Sequence, residues 1–162
     1  MKILAIDPGY DRMGLAILTG DASKPVVVHS ECVVTNRKDE NSARLWTIVK
    51  RLENVIKEFK PETMAVETLL FSVNQKTAIG VAEARGAIIC EAGRFGIPVL
   101  SLNPNQIKVA VTGYGASKKQ GVTDMVKRLA KTRPDIKYDD EYDAIAIGIA
   151  GLAINRTMKQ KS

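Results

Sequence analysis

The chain has 162 residues, 45% of them hydrophobic and 5% aromatic, and its 24 Lys and Arg outnumber 18 Asp and Glu for a net charge of +6. That length suits one domain with a proper buried core, expected over residues 1–158 with a short basic tail at 159–162. No run is long and apolar enough to cross a bilayer, and the opening Lys2-Ile3-Leu4-Ala5-Ile6 is too short for a signal peptide, so a cytoplasmic protein is expected; the positive balance favours polyanionic partners, because contacts with phosphates release counterions.

In chain order, Lys2 to Asp7 reads as a buried strand. Met13 to Thr19 and Val26 to Val34 read as two more, joined by turns containing Gly9, Gly20 and Pro25. A helix follows from about Ser42, with Leu45, Ile48, Val49, Leu52, Val55, Ile56 and Phe59 at helical spacing on one face. Pro61 ends that region, and Thr63 to Glu67 gives a fourth strand. A second helix spans roughly Gln75 to Gly93, and Val99 to Leu102 is a short fifth strand. Asn103-Pro104 reads as an N-cap followed by proline in the first turn of a third helix. Ser117-Lys118-Lys119-Gln120 matches a capping box, opening a helix with Val122, Met125, Val126 and Leu129 on one face. The last helix runs from near Asp140 to about Thr157; Ile145, Ile147, Ile149, Leu152 and Ile154, with Gly148 and Gly151, make it apolar on most sides, so it is expected against the sheet.

The short turns between the first three strands predict antiparallel pairing, and the helices between the later ones predict parallel pairing. The expected architecture is α/β, a mixed five-stranded sheet flanked by helices, which is the plan of the ribonuclease H-like fold.

Four acids stand at the ends of these elements: Asp7, Glu67, Asp140 and Asp143. Each alone has an ordinary explanation. Asp7 could cap a turn, Glu67 could be a surface residue, and acids at a helix start compensate its dipole. Yet Pro8 holds Asp7 extended at the sheet rim. If strands one and four are neighbours, Glu67 emerges beside it, and Asp140 and Asp143, at i and i+3, share a helix face that continues through Ala144 and Ile147 into the core. Two divalent cations need about this many acidic ligands, and such a pair clamps the attacking and leaving oxygens of a phosphodiester. Asp139 and Glu141 are expected to do no more than compensate the dipole. Cys32 and Cys90 lack CxxC spacing and are expected as buried, reduced thiols. His29 is the sole histidine, too few for a His-rich metal site, and no GxSxG accompanies it. Ile-Asp-x-Gly with Gly14 also resembles the first phosphate loop of actin-like ATPases, but the chain is too short for two lobes and has no repeat of the motif.

Over nearly its whole length the chain resembles the RuvC family of Holliday junction endonucleases. The segments that carry the likeness are Ile6-Asp7-Pro8-Gly9, Val66-Glu67, Glu83-Ala84-Arg85-Gly86, Gln106-Ile107-Lys108, Thr112-Gly113-Tyr114-Gly115 and Asp140 through Ala146. The resemblance implies a homodimer that nicks two opposing strands of a four-way DNA junction, leaving 5′-phosphate and 3′-hydroxyl ends. It implies two magnesium ions per site, with manganese as a substitute, held by Asp7, Glu67, Asp140 and Asp143. It assigns DNA contacts to Lys108, Lys119, Phe71, Leu70, Asn74 and Arg85, and it implies the RuvA–RuvB branch-migration complex as partner. Where the family often has an aromatic three residues after the catalytic Glu, this chain has Leu70, with Phe71 next to it. Ala78, Ala82 and Gly86 form a small-residue stripe that is a candidate dimer surface. The rival readings are another nuclease of this fold acting on flap or branched DNA or structured RNA, and a junction-binding module with a dead site.

Overall fold

Apolar residues dominate the first strands because both faces of the sheet they build are covered. The computed structural model describes residues 1–69 and 75–159. Its elements are β1 (Ile3–Asp7), β2 (Arg12–Asp21), β3 (Lys24–Val34), α1 (Asn41–Phe59), β4 (Thr63–Glu67), α2 (Gln75–Arg94), β5 (Val99–Leu102), α3 (Pro104–Thr112), α4 (Lys119–Ala130) and α5 (Asp139–Lys159). The strands form one five-stranded sheet in the order β3-β2-β1-β4-β5. The β1–β2 and β2–β3 pairs are antiparallel; β1–β4 and β4–β5 are parallel. This is the expected mixed sheet, with β1 and β4 adjacent at its centre.

The two-residue period of the strands sorts their side chains between two cores. Ile3, Ala5, Ala16, Leu18 and Ala65 face α3, α4 and α5. Leu4, Ile6, Leu15, Ile17, Met64 and Val66 face α1 and α2. Each fully buried Ile or Leu contributes about 1.5–3 kcal/mol of transfer free energy, so these two layers fix the register. Helix α5 lies across β1 and β2 at very close range. A Cβ on Gly148 would come within 2.4 Å of a Leu18 methyl and 3.2 Å of the Ala5 methyl, so glycine is what lets the helix settle there.

The helix ends divide the cap predictions. Asn103 caps α3 as expected, in a full capping box with Gln106 and with Pro104 in the first turn. Ser117 does not cap α4. Lys118 is the N-cap and makes no side-chain cap bond. Ser117 Oγ instead donates to the Tyr114 carbonyl at 2.8 Å and shares a 2.7 Å bond with Thr112 Oγ, closing the loop after α3. A hydroxyl that finds a nearer backbone carbonyl is lost to the helix. Cys32 and Cys90 are free thiols, but Cys90 is exposed and Cys32 only half-buried, because α2 turns the position of Cys90 outward. Among the described residues no helix is long and apolar enough to cross a membrane.

Candidate active site

Asp7 and Glu67 end β1 and β4, whose register aligns Ile6 with Val66. Following Ala5 and Ala65 by two residues, both carboxylates project to the α5 side of the sheet. Helix α5 opens directly above them, and its first turn carries Asp139, Asp140 and Glu141. The closeness of that turn depends on Gly14, paired with Asp7 across the sheet. A Cβ on Gly14 would fall 1.9 Å from the Asp140 carbonyl oxygen and 3.2 Å from the Asp7 Cβ. Gly14→Ala is therefore expected to push α5 off β2, cost about 1–3 kcal/mol, and reduce activity with stability. An unchanged melting temperature would contradict this packing.

The four predicted carboxylates are electrostatically one group. Burial holds Asp7 well above the ordinary carboxylate range, and Asp143, Glu67 and Asp140 push it further in the same direction. Glu67 is raised by burial and by Asp143, against the opposing pull of Lys119 and Lys108. Burial also raises Asp140 and Asp143. The site thus accumulates negative charge that protein surroundings disfavour, and a cation would relieve it.

Two cations of the chain already lean on this group. Lys119 Nζ lies 2.8 Å from Asp143 and 2.6 Å from Asp139. Burial works to lower the pKa of Lys119, but hydrogen bonds to Asp139 and Asp143 raise it overall. Arg12 Nε lies 3.1 Å from Asp140 Oδ2, without forming a hydrogen bond to it; that oxygen is buried and has no hydrogen-bond partner. Among the described residues no three His, Cys, Asp or Glu side chains are already arranged as a metal cage. The donor set nevertheless fits divalent metal ions: hard carboxylate oxygens, held near one another at an energetic cost, one of them buried and orphaned.

Of the other predicted residues, Lys108 and Lys119 line a cleft of about 230 Å³ with Glu67 and Asp143. Arg85 is committed to the scaffold, its Nε donating to the Glu67 carbonyl at 3.0 Å and its guanidinium to Ser101 Oγ at 3.0 Å. It fixes the strand end from which Glu67 emerges. Leu70, Phe71 and Asn74 lie outside the described residues.

Sequence reasoning missed four groups. Asp139 does more than compensate a dipole: it holds Lys119 and lies 3.7 Å from Arg12. Glu141 is 2% exposed, the opposite of a solvated helix-start acid. Its carboxylate accepts from Ser30 Oγ and from Nε and Nη2 of Arg133, tying the first turn of α5 to β3 and to the segment before it. The signal was present, since Glu141 continues the stripe of Ile145, Gly148 and Leu152. Arg12 itself sits in what reads as a turn. Arg44, on α1, is 7% exposed, and its guanidinium lies 3.6 Å over the Tyr10 ring while donating to Thr35 Oγ and the Tyr10 carbonyl. It bolts the turn that follows Asp7 to the rest of the protein.

A ribonuclease H-like sheet that gathers carboxylates at the adjacent ends of its central strands and on the helix across them defines a class of phosphodiester-cleaving enzymes. The sequence model of the family described as "Crossover junction endodeoxyribonuclease RuvC" matches residues 3–151. A protein so named from Syntrophomonas wolfei is 37% identical over 152 residues, covering 94% of this chain and 88% of its own. Another, from Carboxydothermus hydrogenoformans, is 39% identical over 151 residues, covering 93% and 95%. The solved structure of Thermus thermophilus RuvC in complex with a Holliday junction substrate superposes with a TM-score of 0.91 at 30% identity, covering 98% of this chain and 96% of that one. The chain belongs to the RuvC family.

Proposed function

We propose that this protein resolves Holliday junctions by paired, symmetric nicks in opposing strands of four-way DNA, with Asp7, Glu67, Asp140 and Asp143 as its catalytic carboxylates. The observation that carries the reading is the gathering of these four carboxylates at one end of the sheet, each held above its ordinary range first by burial, in a protein that is otherwise basic. The four carboxylates would hold two Mg²⁺ ions, with Mn²⁺ as a substitute, and the ions would supply Lewis acidity to the phosphoryl oxygens and acidify the attacking water. The chain's own residues do the rest. Asp7 and Glu67 offer oxygens from rigid strand ends. Asp140 and Asp143 offer theirs from a helix turn anchored by Glu141 and Gly14. Lys119 and Lys108 stand where they can bind the DNA backbone and offset charge that builds on the phosphorus oxygens.

Cleavage of opposing strands calls for two sites, and α2 is the proposed homodimer surface. Ala84, Ile88 and Ala92 bury one side of the helix in the core, whereas Ile79 is 69% exposed and Ala82 and Gly86 lie on its open side. The small-residue stripe therefore does not pack on the sheet. The reading extends to a cytoplasmic protein that acts with the RuvA–RuvB branch-migration complex, which membership of the family supports.

The test is magnesium-dependent nicking of a synthetic four-way junction beside a linear duplex and a flap. Paired nicks in the junction alone are expected. Cutting of the flap alone, or of all substrates equally, would keep the chemistry and replace the resolvase with another nuclease of this fold. Magnesium-independent binding without any cleavage would point to a junction-binding module.

A further inference from the structure

The carboxylates stand between two clefts, and the Lys108–Lys119 cleft is the smaller. On the other side lies a cavity of about 750 Å³, bordered by Asp140 and lined by Gly9, Arg12, Asn36, Arg37 and Lys38. Its walls are the turn after β1, which follows Asp7, and the turn after β3. Both walls are fixed. Arg44 donates to the Tyr10 carbonyl in one and to Thr35 Oγ in the other, and Thr35 Oγ itself donates to the Tyr10 carbonyl at 2.7 Å. The second turn is internally built: Asn36 Oδ1 accepts from the Lys38 backbone at 3.1 Å, and Asn36 Nδ2 donates to Asp39 at 2.8 Å. This turn presents Arg37 and Lys38 outward. The Arg37 side chain is 79% exposed while it pairs with Asp11, and none of the ion pairs among the described residues uses Lys38. Arg12, on the boundary between cavity and carboxylates, is the third cation of a lining whose acids are Asp11 and Asp140.

A strand whose phosphate lies at the carboxylates has to continue on both sides of it. The Lys108–Lys119 cleft serves one side, and the larger cavity is open on the other, with a preformed turn that presents Arg37 and Lys38. We propose that this cavity seats the DNA strand on the far side of the scissile phosphate, with Arg37 and Lys38 as its backbone contacts. The inference rests on the nuclease reading and adds a binding site to it.

The experiment measures binding of a four-way junction by catalytically silenced Asp7→Asn protein over a range of salt, with and without Arg37→Ala and Lys38→Ala together. Loss of two phosphate contacts should lower the slope of log affinity against log salt by about 2. Lys38→Ala alone, which breaks no ion pair, should lower it by about 1. Lys57→Ala with Lys60→Ala, on a distant surface, should leave it unchanged. A photo-crosslinking residue at position 38 should mark nucleotides next to the cut on one side only. An unchanged slope in both cleft variants, or crosslinks confined to a distant arm, would overturn the site. Wild-type protein that cuts the junction alongside such a result would leave the nuclease reading intact; wild-type protein that cuts no junction would reject that reading separately.

Discussion

Asp7→Asn should lose cleavage by roughly 1,000-fold or more and, without divalent metal, should melt at a higher temperature than the wild type. The first effect follows from taking one oxygen ligand's charge out of a site whose cations would supply several kcal/mol of transition-state stabilisation, each 1.36 kcal/mol being tenfold in rate. The second comes from burial and from three neighbouring carboxylates, which hold the Asp7 pKa well above its ordinary value. In that case the folded state binds the proton more tightly than the unfolded chain. The stabilising contribution is complete below the unfolded pKa and is lost as pH rises through the folded one, so at neutral pH a charged Asp7 opposes folding. Asparagine removes that charge at nearly the same volume. A higher melting temperature than that of the wild type is expected in the presence of a chelator. Magnesium should raise the melting temperature of the wild type more than that of the variant. The same linkage sets the pH profile of cleavage. Activity should fall towards acid at a pH above the ordinary carboxylate range, because protons and cations compete for the same oxygens. A variant that melts below the wild type in chelator would show that Asp7 is not held against its charge.

The site divides into what short-range sequence rules could find and what only the assembled fold displays. β1 and β4 are five-residue apolar strands with a carboxylate at the end of each. Their identity, parallel pairing and common direction follow from hydrophobic pattern and crossover rules. Asp140 and Asp143 follow from helical spacing. Two cationic partners, Arg12 and Arg133, did not, because each lies at or beside a loop whose path depends on tertiary packing. Arg12 reaches Asp140 from the first residue of β2, just past the turn after β1, and Arg133 reaches Glu141 from the segment between α4 and α5. Glu141 was misjudged because residue type was weighed above position: a charged residue in an apolar stripe is buried when a cation can follow it. The Ser117 capping box failed for a related reason. A four-residue motif does not specify which of two nearby acceptors a hydroxyl takes, and here the Tyr114 carbonyl took it.

Lys119→Ala should reduce cleavage by about 100-fold, the effect of removing one preorganised charge donor from beside a reacting centre. Its opposite consequence for the resting protein separates this role from a purely structural one. Lys119 lowers the pKa of Asp7, Glu67 and Asp143, all of which burial raises. Without it the acids lie further from their ordinary range, so the metal-free variant should be less stable at neutral pH than the wild type, whereas Asp7→Asn is more stable. Divalent cations supply the missing positive charge, so the stability deficit of Lys119→Ala should narrow as magnesium is added. The cleavage deficit should persist at saturating magnesium, because an ammonium group that binds the DNA backbone is not replaced by an ion between the carboxylates. Lys119→Arg should recover stability more fully than cleavage, since a planar guanidinium can pair with Asp139 and Asp143 but meets a phosphate with different geometry. Cleavage equal to wild type across salt concentrations would remove Lys119 from the chemistry. A cleavage deficit that closes together with the stability deficit would confine it to holding Asp143 in place.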